Sequence, residues 1–110
     1  MKQYVIDELR PGDAEKISNY LEQQLGPPSM GTIYWIPVPE AILSEEQSSH
    51  EACQPHYVVV DVEMSRLACE LLIRTRNSVR CSCIGYANRE QREWIIQYID
   101  FLFDHLSIST

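Results

Sequence analysis

Glycine is scarce in this chain, four among 110 residues, which leaves little from which to build a backbone cradle for a nucleotide. No GxxxxGK[ST] loop, GxSxG elbow, HExxH pair or CxxC pair occurs. Nothing approaches the run of about 18 apolar residues that a membrane span needs. The opening MKQYVIDELR places acidic residues where a secretory leader requires an apolar stretch. These absences predict a cytoplasmic chain with no membrane partner. Basic charge is also short: nine Lys and Arg face 16 Asp and Glu, a net charge of −7. Residues 1–64 carry three basic against eleven acidic residues, and residues 65–110 six against five. So acidic a surface repels a phosphate backbone, and no nucleic-acid partner is expected. Without a leader, Cys53, Cys69, Cys81 and Cys83 are expected as reduced thiols rather than a disulfide framework.

What is present is a well-patterned stretch from Tyr57 to Tyr86. Val58, Val60, Val62 and Met64 alternate on one face, and beyond a turn at Ser65-Arg66 the residues Leu67, Cys69, Leu71 and Ile73 alternate again. Pairing Val62 with Cys69, Val60 with Leu71 and Val58 with Ile73 buries both sets at once. A second turn near Arg76-Asn77-Ser78 sets Val79, Cys81 and Cys83 level with Thr75, Ile73 and Leu71. The spacing therefore predicts a three-stranded antiparallel meander over about 57–86. A slip of one residue would turn its apolar set toward water.

The flanking segments complete a single α+β domain over residues 1–110. Tyr4–Leu9 and Thr32–Ile36 read as one or two N-terminal strands, and their strand–helix–strand order predicts parallel pairing between them. Between them Asp13 is placed as the N-cap of a helix with the stripe Ala14, Ile17, Leu21 and Leu25, stopped by Gly26 and Pro27-Pro28. Ser44 with Gln47 opens a short helix carrying His50 and Cys53. Asn88 with Gln91 caps a long final helix with the stripe Ile95, Ile99, Leu102 and Leu106. The two main helices are expected on one face of the sheet.

Four groups of residues are candidates for chemistry. His50, Cys53 and His56, in HEACQPH, are imidazole and thiolate ligands of the kind zinc takes, with Cys81 and Cys83 as further sulfurs. The predicted register argues against joining the two groups, since it leaves His56 about 10 Å from Cys81. It also leaves the Cys81 and Cys83 side chains parallel, about 6.5 Å apart at Cα, as apolar filler. Cys53 between two histidines is the candidate reactive thiol. The pairs Asp61/Glu63 and Glu45/Glu46 read as solvated acids rather than an acid–base site. Arg74, Arg76 and Arg80, with no acidic neighbour evident in the local sequence, are a candidate anion site.

The final helix carries more apolar surface than one core contact uses, and Trp94, Tyr98 and Phe101 extend its stripe as a candidate interface. The leading expectation is a non-enzymatic protein–protein interaction module without a cofactor, paired with a protein partner or with itself as a homodimer. The alternatives are a zinc-binding or reactive-thiol protein using His50, Cys53 and His56, and a binder of small anionic ligands.

Overall fold

The strongest alternation in the chain becomes the middle of the sheet. The computed structural model describes residues 1–77 and 80–109. Among the described residues the six strands are β1 (Gln3–Ile6), β2 (Ile33–Pro37), β3 (His56–Val62), β4 (Leu67–Glu70), β5 (Leu72–Thr75) and β6 (Gly85–Tyr86). Three α-helices are α1 (Asp13–Leu25), α2 (Glu45–Ser49) and α3 (Arg89–His105). In β3, His56, Val58, Val60 and Val62 are buried while Tyr57, Val59 and Asp61 are half-buried, the period of two expected of a strand with one dry face. β2 runs antiparallel along one edge of β3, and β4 and then β5 run antiparallel along the other. β1 joins the outer edge of β4 and β6 that of β5. The α+β class, the antiparallel meander and the two added N-terminal strands are as the sequence predicts.

Four details of that prediction change. β1 and β2 are not parallel neighbours. β1 pairs antiparallel with β4 and β2 with β3, because α1 carries the chain to the opposite side of the sheet before the next strand begins. The turn after β3 closes early, through Glu63 N–H to the Arg66 carbonyl at 2.9 Å, which leaves Met64 89% exposed instead of in the core.

Beside that turn the register is Val62 with Leu67 and Val60 with Cys69, two residues from the predicted one. An even shift keeps the same side chains inward. At β5 the pairs Tyr57–Arg74 and His56–Thr75 restore the predicted alignment. The difference is taken up at Leu71, where the chain leaves β3: its N–H reaches the Lys2 carbonyl and its carbonyl accepts from Ala87 N–H. The third strand of the meander is Gly85–Tyr86, and Cys81 and Cys83 lie in a turn before it. The expected pairing of Val79 lies outside the described residues, as does Ser78 of the second turn.

Both long helices cover the inner face. Tyr4, Cys69, Val60 and Tyr34 form one row across the sheet. The Tyr34 hydroxyl donates to the Ser18 carbonyl of α1 at 3.3 Å, and the Tyr4 hydroxyl to Asp100 of α3 at 2.9 Å. Ile17 and Leu21 from α1 and Ile95, Ile99, Leu102 and Phe103 from α3 share one core with that row. Each such side chain taken fully from water contributes about 1.5–3 kcal/mol. The N-cap of α1 is Gly12, not Asp13: the chain enters at φ 92°, and Asp13 is the first helical residue, its carboxylate accepting from Arg10 N–H at 3.0 Å. Gly26, at φ 90°, closes α1 with its N–H on the Glu22 carbonyl. Among the described residues no helix is long and apolar enough to cross a membrane.

Candidate metal centre

Two short segments far apart in sequence supply the site. The first begins with the predicted capping box: the Ser44 side chain accepts from Gln47 N–H, and Gln47 returns a bond to Ser44 N–H. α2 therefore starts crisply and runs out at His50, which is its C-cap, and Cys53 follows on a 3-10 turn whose N–H bonds the His50 carbonyl. The end of β5 clamps that turn from below. Thr75 Oγ1 donates to the Cys53 carbonyl, and Asn77 Nδ2 to the carbonyls of Ala52 and Gln54. The second segment is the turn at Cys81–Ile84, closed by Ile84 N–H to the Cys81 carbonyl at 3.0 Å.

These segments meet. His50 Nδ1 is 3.0 Å from Cys81 Sγ, Cys53 Sγ is 3.4 Å from it, and Cys83 Sγ is 2.9 Å from it. All four ligand atoms of His50, Cys53, Cys81 and Cys83 lie within 4.8 Å of one another. A tetrahedral ion with sulfur at about 2.3 Å and nitrogen at about 2.0 Å spaces its ligands roughly 3.5–3.8 Å apart. The cluster is thus close to a tetrahedron, slightly drawn in around Cys81. Loading it asks for side-chain movements of about 1 Å. A two-iron cluster would spread its four ligands wider than this, so the space suits one ion.

The sequence expectation is corrected in two respects and kept in a third. Cys81 and Cys83 do not run parallel along a strand. The turn lets their sulfurs converge, and Cys83 N–H points at Cys81 Sγ at 3.4 Å. His50 and Cys53 are members of the cluster, as the zinc alternative proposed. His56 is not among the four: it is fully buried on β3 with Nε2 3.4 Å from Cys83 Sγ, behind the ligands. The assumed strand at 79–83 is the source of the error, since it held the CxC pair flat beside β5 when the chain instead lifts off toward α2.

Electrostatics within the cluster are uneven. Hydrogen bonds from the Cys83 thiol, then from the Cys83 backbone N–H, and further contacts with Cys53 and His50, bring the Cys81 thiol down to about 7. Burial, and then the neighbouring Cys81, push Cys83 up to about 12. Cys53 is raised as well, chiefly by its bond to Cys81. Negative charge therefore falls first on Cys81, and ionising all three sulfurs this close together requires a cation between them. Cys69 is apart from this chemistry, buried in the core and raised to about 12 by desolvation.

A polar relay missed by the sequence reading holds the site to the long helix. Gln47 Nε2 donates to the Cys83 carbonyl at 3.4 Å, and Gln91 Nε2 donates to Gln47 Oε1 at 2.8 Å and to the Ile42 carbonyl at 3.0 Å. Gln91 is itself the capping partner of Asn88 at the start of α3. The only signal in the sequence was that each capping box closes with Gln, whose amide has a donor left over once its oxygen caps the helix.

The other candidates sit elsewhere. Arg74 is paired with Glu70, at 2.8 Å, an acidic neighbour four residues back that the local reading missed. Arg76 lies over the ring of Trp35 at 4.7 Å, and Arg80 is exposed. On α3, Trp94 and Tyr98 are half-buried with ring centroids 5.5 Å apart, and Phe101 is 57% exposed and stacked on His105.

Fold and site together define a small α+β protein with a Cys3His cluster at one end of its sheet. Compared with known protein families, with curated proteins and with solved structures, the chain matches none.

Proposed function

We propose that the protein is a zinc-binding domain whose ion, held by His50, Cys53, Cys81 and Cys83, serves a structural role. The observation that carries this reading is the convergence of four ligand atoms of the right chemistry within 4.8 Å, drawn from two segments that no strand pairing joins. Soft sulfur ligands with one imidazole in a tetrahedral arrangement favour zinc. Four protein ligands leave no open position for substrate, which separates a structural site from a catalytic one. The ion would fasten the loop after α2 to the turn before β6. Reduced cysteines and such a site fit a cytoplasmic setting. Metal analysis and native mass spectrometry of protein purified without added metal test the reading. One zinc per chain is expected; folded, reduced protein that neither carries nor takes up zinc contradicts it.

The ion can be held only after all three thiols lose their protons, so apparent affinity rises with pH. With Cys81 brought down to about 7 and Cys53 and Cys83 raised, uptake at pH 8 releases roughly two protons, and at pH 6, where Cys81 is protonated as well, it releases more. Calorimetry in buffers of different ionisation enthalpy counts them. An affinity that does not change with pH contradicts a three-thiolate site.

A second reading concerns partners. The aromatic rings of Trp94, Tyr98, Phe101 and His105 follow one flank of α3, with Phe101 and His105 exposed. Large rings on an exposed helix flank favour a protein contact, and a second copy of the chain is the occupant we propose. Trp94→Ala with Phe101→Ala is expected to weaken self-association by tenfold or more while the circular dichroism spectrum holds. An unchanged sedimentation profile removes this reading and leaves the zinc site untouched.

A further inference from the structure

We propose that His56 is a positioning residue of the metal centre, donating its Nε2–H to the Cys83 sulfur and so setting how firmly Cys83 holds the ion. The inference rests on the zinc reading above and adds to it a residue outside the four ligands. Three observations carry it. The His56 side chain is fully buried, on a strand whose other inward residues, Val58, Val60 and Val62, are all apolar. Its Nε2 lies 3.4 Å from Cys83 Sγ. Its Nδ1 is buried without a hydrogen-bond partner among the described residues.

A buried imidazole with one orphaned nitrogen costs stability wherever packing alone is needed, and a fourth valine would fill a strand position at no such cost. What the imidazole offers is a donor aimed at sulfur. The proton belongs on Nε2: placed on Nδ1 it would strand a buried N–H, whereas on Nε2 it meets Cys83 and leaves only a lone pair unmet. A neutral thiol gains little from this donor. A thiolate ligand gains much more, because hydrogen bonds to charged acceptors are about twice as strong as neutral ones. The bond therefore favours the state in which Cys83 is ionised and metal-bound, and it fixes the sulfur's direction on the side away from the ion.

Cobalt(II) titration of His56→Leu and His56→Gln against the wild-type chain separates this role from packing. His56→Leu fills the space without a donor and is expected to weaken cobalt binding 10- to 100-fold. It should also move the sulfur-to-cobalt charge-transfer band to longer wavelength, because an unbonded thiolate gives up electron density more easily. His56→Gln, with an amide donor near the same place, is expected to recover most of the affinity and the band position. The nitrogen-15 shifts of the His56 ring in zinc-loaded wild type, which need no variant, should show the Nε2–H form. Wild-type affinity and spectrum in His56→Leu, or a ring protonated on Nδ1, overturns the proposal while leaving the zinc site standing. A wild-type chain that binds no cobalt overturns both.

Discussion

Cys81→Ser is expected to weaken zinc binding about a hundredfold, whereas Cys69→Ser leaves zinc affinity unchanged. The contrast uses one residue type in two environments. Cys81 stands within 3.4 Å of His50 Nδ1 and of both other cluster sulfurs, while Cys69 packs between Val60 and Tyr4 in the sheet, 1% exposed. Structural zinc binds small domains with about 10–16 kcal/mol, so one ligand of four accounts for roughly 3 kcal/mol, about a hundredfold in affinity. Cys69→Ser instead places a hydroxyl in the core and lowers stability by about 1–3 kcal/mol without touching the ion. Bound zinc would also shift the folding equilibrium by mass action. At a thousand times its dissociation constant the gain is about 4 kcal/mol. For a chain of this length that corresponds to roughly 15 °C in Tm between loaded and chelator-treated protein. The apolar core of α1, α3 and the sheet does not involve the site, so the chelated chain should stay folded and melt earlier. Differential scanning calorimetry with and without chelator checks the shift, and equal melting temperatures contradict it.

Gln91→Leu is expected to destabilise the fold by about 2–4 kcal/mol, far more than a surface substitution. Gln91 is 1% exposed and makes four bonds at once: it accepts from Asn88 N–H, its backbone N–H bonds the Asn88 side chain, and its amide donates to the Ile42 carbonyl and to Gln47. Leucine would leave buried partners unmet, each costing about 1–3 kcal/mol, and would remove half of a capping box. The relay continues through Gln47 to the Cys83 carbonyl, so the loss should reach the metal turn as well. Denaturant unfolding gives the free energy. Hydrogen exchange at residues 81–85 should speed up relative to β3 and β4, and a loss confined to α3 would show that the relay does not reach the site.

The alternation of Val58, Val60 and Val62 marks a strand with one dry face, because period-two burial leaves a direct mark on residue type. The capping boxes at Ser44 and Asn88 were legible for the same reason, since a local bond needs particular side chains at fixed spacing. The two-residue change of register at Leu71 left no such mark, because an even shift keeps every inward residue inward.

The cluster of His50, Cys53, Cys81 and Cys83 was half visible. HEAC and CSC each showed ligand types, but Cys53 and Cys81 are 28 positions apart, and their meeting depends on the chain leaving the sheet after β5. Alternating side chains at Arg80–Cys83 imitate a strand, whereas the bonds from Ile84 N–H to the Cys81 carbonyl and from Cys83 N–H to Cys81 Sγ reveal a turn. Tertiary contact outweighed local pattern there, at the place where the chemistry lies.

X-ray absorption at the zinc edge of the purified protein tests the central claim most directly, because it reads the ligands rather than the consequences of binding. The cluster predicts three sulfurs at about 2.3 Å and one nitrogen at about 2.0–2.1 Å around a single four-coordinate ion. A shell of nitrogen and oxygen alone, or one with fewer than two sulfurs, would show that His50, Cys53, Cys81 and Cys83 do not hold a metal together.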